Sequence, residues 1–361
     1  MEKFKQFLKR KDIEFSLKRY GIDAMSAMAQ GLFCTLLIGT ILDTIGTQFE
    51  IGFLTATIGK TGCTIGQLAK AMSGPAMAIA IGHSLKCPPL VLFSLATVGH
   101  SANTLGEAGG PLAVLLIAII AAEFGKAVSK ETKVDILVTP LVTIGIGVFI
   151  SWLIAKPIGD GALWIGDRIK DATELQPFFM GIIVSVGIGV ILTLPISSAA
   201  VCASLVLVGR AGGAAVAGCC AQMIGFAVIS FRENRWGGLI SQGIGTSMLQ
   251  MGNIVKNPRI WIAPTLASAI TGPIATCIFH LEMNGAPISS GMGTCGLVGQ
   301  IGVYTGWAND VAAGAKDAIT AFDWIGLILI SFILPAILAF IINEGLRKIG
   351  WVKDGDMKLA E

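Results

Sequence analysis

The sequence predicts an all-α, polytopic transmembrane protein, with about ten spans and re-entrant hairpins. Three observations lead there. Residues 175–209 contain no acid, base or histidine, a stretch well beyond the ~20 apolar residues that cross a bilayer core. Similar runs separate Asp23 from Asp43, Arg210 from Arg232, Arg235 from Lys256, Arg259 from His280 and Asp323 from Glu344, while Asp310 alone interrupts residues 287–315. Of the 361 residues, 53% are hydrophobic and only 14% charged, against ~25% charged in soluble domains. The 46 glycines suit close packing and helix breaks in lipid. Uninterrupted apolar runs, rather than alternating apolar and polar residues, argue against a β-barrel.

Residues 1–20 carry Lys3, Lys5, Lys9, Arg10, Lys11, Lys18 and Arg19, with Phe4, Phe7, Leu8 and Phe15 near helical spacing. They read as a basic amphipathic helix on the bilayer surface. No cleavable signal peptide is expected, because an early apolar core and a small-residue cleavage site are missing. Arg347, Lys348, Lys353 and Lys358 load the 344–361 tail. The positive-inside rule then puts both tails in the cytoplasm, with an even number of crossings of a bacterial inner membrane. A basic tail this short does not indicate nucleic-acid binding.

The N-terminal membrane half, 21–155, begins with a span near 24–42. Residues 44–82 are too polar for one simple helix and predict a broken or short pair. Gly59-Lys60-Thr61-Gly62 lacks the rest of a phosphate loop, so no nucleotide site is expected. Apolar segments follow near 88–101, 111–124 and 134–155. Residues 156–177 then bring Lys156, Asp160, Asp167, Arg168, Lys170, Asp171 and Glu174 together with Trp164 and alternating aliphatics. That composition predicts an interfacial amphipathic linker between two halves.

In the C-terminal half, 178–343, Pro195 splits the long uncharged run. Spans are expected near 213–231, 238–255, 261–279 and 324–342, and Arg232-Glu233-Asn234-Arg235 reads as a tight cytoplasmic turn. Gly-Ile-Gly-Val recurs at 145–148 and 187–190, a repeat too short in a glycine-rich chain to carry weight.

Eight cysteines, at 34, 63, 87, 202, 219, 220, 277 and 295, show neither CxxC pairs nor metal spacing, and mostly sit in apolar runs as small hydrophobes. No metal or cofactor is expected. Polar chemistry concentrates at Phe279-His280-Leu281-Glu282-Met283-Asn284-Gly285-Ala286-Pro287, followed by a Gly- and Ser-rich stretch to Gly296. Ionisable groups between apolar runs suit a re-entrant hairpin lining a cavity, with His280, Glu282 and Asn284 as solute ligands. A water-exposed loop with solvated His280 and Glu282 fits the same residues. A comparable set, His100, Asn103 and Glu107, precedes Pro111; it reads either as further ligand groups or as a loop with capping residues, the latter slightly favoured.

Lys133-Val134-Asp135-Ile136-Leu137-Val138-Thr139-Pro140-Leu141-Val142-Thr143, continuing through Gly147 to Lys156-Pro157-Ile158, resembles the membrane-spanning IIC component of bacterial sugar phosphotransferase systems. More narrowly, the overall character is similar to the stand-alone IIC-like group that includes the perfringolysin O regulator. The resemblance implies a homodimer, a scaffolding N-terminal half and a C-terminal half holding a sugar-sized site between re-entrant hairpins. It also implies a His and a Glu on the sugar hydroxyls, for which His280 and Glu282 are the nearest candidates. Where relatives carry a Gly-Ile-Thr-Glu-Pro type signature, this chain has Met283-Asn284-Gly285-Ala286-Pro287. The spans leave only short tails, so phosphoryl transfer is expected to need separate IIA and IIB proteins, and the chain is not expected to be catalytic alone. The reading is a permease that moves a small polar solute, a sugar, by alternating access; the alternative is a membrane sensor that regulates gene expression without transport.

Overall fold

The structure is a computed structural model that describes residues 2–359, and nothing is described of the side chains of residues 2–4 and 48. The chain divides into two compact units, Met1–Gly161 and Ala162–Glu361. The division falls inside the segment read as a linker. Among the described residues the structure is helical, with no strand beyond one isolated bridge. Six helices are long and apolar enough to cross a membrane, and a seventh apolar helix is 17 residues long.

In the first unit, α1 (Glu2–Arg10) precedes the first span, α2 (Lys18–Thr47). Residues 49–64 form only a short helical turn and loops, as their glycines and polar side chains favour. Helix α3 (Ile65–Ala71) starts at a capping box, with Thr64 accepting from Gln67 N and Gln67 Oε1 accepting from Thr64 N, each at 3.1 Å. Helices α4 (Ser73–Ser84), α5 (Pro89–Gly106), α6 (Gly110–Val128) and α7 (Asp135–Ile150) pack together, and proline in the first turn of α5 and α6 presets their entry. The buried Lys126 ammonium of α6 lies 3.1 Å from Glu123 and donates to the Asp12 and Leu85 carbonyls at 2.6 and 3.3 Å. Tyr20 donates to the same Glu123 at 2.9 Å. A buried charge with several partners thus ties the segment after α1 to α6.

Helix α8 (Lys156–Asp171) straddles the division of the chain. Within the second unit it buries Ala162 and Ile169 and exposes Trp164 and Ile165. The second unit is built around α11 (Gly209–Ile229), almost wholly buried against α9 (Pro177–Thr193), α14 (Ile262–Pro273) and α16 (Ala321–Lys348). Small residues make this possible: a Cβ on Gly218 would lie 1.8 Å from the Ser185 carbonyl oxygen. Around Pro195 the chain breaks and turns into α10 (Ser198–Ser204), which packs on the turn Pro287–Gly291. Ser198 donates to the Gly291 carbonyl at 2.6 Å and Ser290 to that of Leu207 at 2.6 Å, so the two interrupted segments satisfy each other's backbone.

One expectation is corrected. The span over 238–255 is not continuous: the helix from α12 (Phe231–Ile240) through Gly245 gives way at extended Thr246 (φ −159°, ψ 141°), and a 3-10 turn at Ser247–Gln250 leads into α13 (Met251–Lys256). Buried Gln242, Gln250 and Asn253 find tertiary partners for their amides, which favours the break over a lipid-facing helix. The charged segment 232–235 follows α11 and ends at a break: Arg235 (φ +51°, ψ −149°) is non-helical and divides the first turn of α12 from the helix that continues at Trp236.

Candidate functional site

After α14 and the wide turn Ile274–Ile278, residues 281–286 are non-helical, with a bridge at Met283 and a bend at Gly285, before the turn at Pro287. Met283 and Gly209 exchange both backbone hydrogen bonds, each 3.0 Å, in an antiparallel bridge. Leu281 and Met283 enter the core with Val216, Val303 and Trp307, while His280, Glu282 and Asn284 line a cavity whose lining Leu281 and Trp307 also join. Glycine lets this stretch approach α11 closely: a Cβ on Gly213 would sit 1.9 Å from the Leu281 oxygen. His280 takes a left-handed backbone (φ +46°), a conformation that costs a non-glycine residue ~1–3 kcal/mol and tends to persist at functional sites.

The cavity holds about 310 Å³, within reach of the ~300–1,000 Å³ typical of small-molecule sites. Helix α15 (Val298–Ala312) brings Trp307 and Asp310 to it, the following loop brings Lys316, and the first turn of α16 brings Asp323. Asp323 is placed by a second capping box, accepting from Thr320 N at 2.7 Å, and it pairs with Lys316 at 2.9 Å. Asn284 donates to Asp310 at 2.9 Å. Arg210 faces Glu282 at 3.3 Å, but both side chains are over 40% exposed, so the pair orients Glu282 more than it stabilises the fold. His280 Nδ1 lies 3.1 Å from the Thr276 carbonyl, which can only accept, so Nδ1 is the donor in this contact. The result is a cleft of hydroxyl-compatible groups beside an indole, with Trp307 packed edge-on against Trp324 at 5.8 Å.

Of the residues singled out by sequence, His280, Glu282 and Asn284 come together here. The other three lie in the first unit, on or just after α5. His100 and Glu107 are exposed, and the Asn103 amide donates to Ser73 at 3.3 Å. Sequence reasoning did not single out Arg210, Trp307, Asp310, Lys316 and Asp323 as ligands. Asp310 had a signal, as the lone acid in an apolar run, since charge at membrane depth is costly unless it serves a site. The others are brought in by α11, α15 and α16, and no local pattern marks them.

The cavity lies at one end of α16, beside Asp323. Arg347, near the other end, donates to Glu233 at 2.6 Å and reaches the Ile229 carbonyl at the C-terminus of α11. The 28 residues of α16 span about 42 Å at ~1.5 Å each, a full bilayer.

The family model for the EIIC component of the phosphotransferase system matches residues 22–359. The chain belongs to the EIIC family. EIIC proteins are the multi-pass, permease-type membrane components of phosphotransferase systems and act with IIA and IIB partners. No curated protein and no solved structure matches the chain.

Proposed function

We propose that this EIIC protein binds a polyhydroxy solute, a sugar, in the cavity beside residues 280–284 and carries it across the inner membrane by alternating access. The observation that carries the reading is the cavity lining. Carboxylates at 282 and 310, an amide at 284 and an imidazole at 280 can exchange hydrogen bonds with hydroxyl groups, and the edge of buried Trp307 adds an apolar contact to the lining. His280, Glu282 and Asn284 are the recognition cluster, joined by Asp310; His100, Asn103 and Glu107 are secondary candidates.

Charge distribution supports the orientation. In the second unit, Arg232, Arg235, Lys256, Arg259, Arg347, Lys348, Lys353 and Lys358 belong to the segments at the end away from the cavity, whereas Arg210 and Lys316 lie at the cavity end and Arg168 and Lys170 precede α9, whose start bonds Thr276 there. By the positive-inside rule the C-terminus is then cytoplasmic and the cavity opens to the outside. A homodimer with a scaffolding first half completes the reading.

Purified protein is tested for sugar binding by calorimetry and, in proteoliposomes, for uptake with and without IIA and IIB components. The expected result is saturable binding of one sugar, with uptake in the reconstituted system. Loss of neither activity in Glu282→Gln and Asp310→Asn variants would remove the cluster from recognition. Binding without uptake under every condition would instead identify a sensor of the regulator type, the alternative suggested by the narrower resemblance.

A further inference from the structure

Helix α16 stops at Gly350 (φ +76°), where Trp351 N donates to the Leu346 carbonyl at 3.0 Å and the chain reverses. Residues 351–359 then run back across the interrupted segment 231–257 rather than hanging free. Four side-chain amides hold this stretch by its main chain. Asn234 and Gln250 donate to the Met357 carbonyl at 2.8 and 2.9 Å, Asn253 to that of Lys358 at 2.9 Å, and Asn257 to that of Trp351 at 3.1 Å. In return, Leu359 N donates to Asn234 Oδ1 at 2.9 Å.

Between these polar anchors Val352 and Met357 are 2% and 0% exposed. A buried pair, Arg347 with Glu233 at 2.6 Å, is joined by tail residue Asp354, which also bonds Arg347. The tail turns over 353–358, with Asp356 N donating to the Lys353 carbonyl and Lys358 N to that of Gly355, each at 3.2 Å, and it is held as a bound peptide is held, by main-chain hydrogen bonds and buried side chains.

The groove is continuous with the break in the helix. Gln250, which holds Met357, also donates to Gln242 at 2.9 Å, and Gln242 donates to Ser230 at 2.9 Å. Asn253, which holds Lys358, donates to Gln250 at 2.8 Å. With the tail removed, these buried amides would lose partners at the point where the backbone is already irregular, and each buried polar group left unpaired costs ~1–3 kcal/mol.

We propose that residues 230–257 form a peptide-binding groove occupied by the chain's own segment 351–359, and that this strap locks the interrupted segment 241–256 at the end of α16 away from the cavity. That this end faces the cytoplasm rests on the orientation proposed above; the groove and the lock do not. Release of the strap, by modification or by a competing peptide, frees the segment whose amides it satisfies.

Hydrogen–deuterium exchange on the full-length protein in lipid nanodiscs tests this without any solute. In the wild type, peptides covering 351–359 and 241–256 are expected to exchange slowly. Met357→Asp should accelerate both at least tenfold while α9 keeps its protection, and an excess of synthetic peptide of residues 350–361 should restore protection to 241–256. Wild-type exchange of 351–359 at the rate of an unstructured peptide would overturn the proposal. So would acceleration of the tail with 241–256 unchanged, or failure of the peptide to restore protection. If Met357→Asp loses α9 protection as well, Asn234→Ala is read by the same criteria, since Asn234 bonds both Met357 and Leu359.

Discussion

Residues 100–107 and 280–284 contain the same three side-chain types, yet the backbone handles them in opposite ways. In the first unit His100 and Asn103 lie on α5, and Glu107 follows it just after the helix ends at Gly106. A helix advances about 100° per residue, so the spacing of three and seven nominally puts all three on one face. The face is not kept. Asn103 turns inward to Ser73 on α4, His100 stays exposed, and Glu107 leaves the helical path at φ +44°. In the second unit the non-helical stretch 280–284, bridged to Gly209 at Met283, brings His280, Glu282 and Asn284 to one cavity while Leu281 and Met283 are buried. The difference teaches that an inventory of polar residues becomes a candidate site only when the backbone and its tertiary contacts bring them to one cavity.

The comparison breaks most completely at the glycine that admits this stretch. Gly213→Val should force α11 and residues 281–283 apart, costing ~1–3 kcal/mol or more as overpacking and abolishing solute binding. Gly145→Ala on α7, where nothing lies within 4 Å of a new Cβ, should be neutral or stabilise by up to ~1 kcal/mol. Thermal melts of the two variants decide this, and similar stability in both would show that residues 281–283 are not clamped by α11.

At the next level, Glu282→Gln or Asp310→Asn should weaken sugar affinity roughly ten- to a hundredfold, the equivalent of one charged hydrogen bond at ~1.5–3 kcal/mol. Glu107→Gln should leave calorimetric affinity unchanged. An equal loss in the Glu107 variant would erase the distinction between the two segments.

A smaller effect separates packing from recognition within the first unit. Asn103→Ala removes one neutral hydrogen bond to Ser73 and should lower stability by ~0.5–1.5 kcal/mol while affinity holds. A drop in affinity without a drop in melting temperature would move Asn103 into the site.

The smallest expected effect is electrostatic. The Arg19 guanidinium, hydrogen-bonded to Asp12, holds that carboxyl below its ordinary range. A lowered folded-state pKa stabilises the protein above the ordinary carboxylate value, and the contribution is lost as pH falls through the lowered value. Because Asp12 is half exposed, the contribution should stay below ~1 kcal/mol. Wild-type melts should therefore decline more than those of Asp12→Asn as pH falls below the ordinary Asp range, and parallel curves would show the pair to be inert.

The interrupted segments show where sequence reading succeeds and where it stops. The break at Pro195 was legible because proline cannot continue a helix, and the polar stretch 280–287 because charges rarely sit in an apolar run. The break at Thr246 was not. Residues 238–255 carry no charge, and the amides of Gln242, Gln250 and Asn253 reveal their cost only once their partners are known.

By itself the sequence determined the helical membrane architecture, the family's character and the polar residues at 280, 282 and 284, because hydropathy runs and charge placement act along the chain. Only the tertiary structure decided that Trp307, Asp310, Lys316 and Asp323 complete a cavity around them, and that the tail folds back as a strap. Those outcomes depend on hydrogen bonds and close glycine contacts between residues that can lie more than a hundred positions apart, such as Asn234 with Met357, and no periodicity along the chain encodes such a pairing.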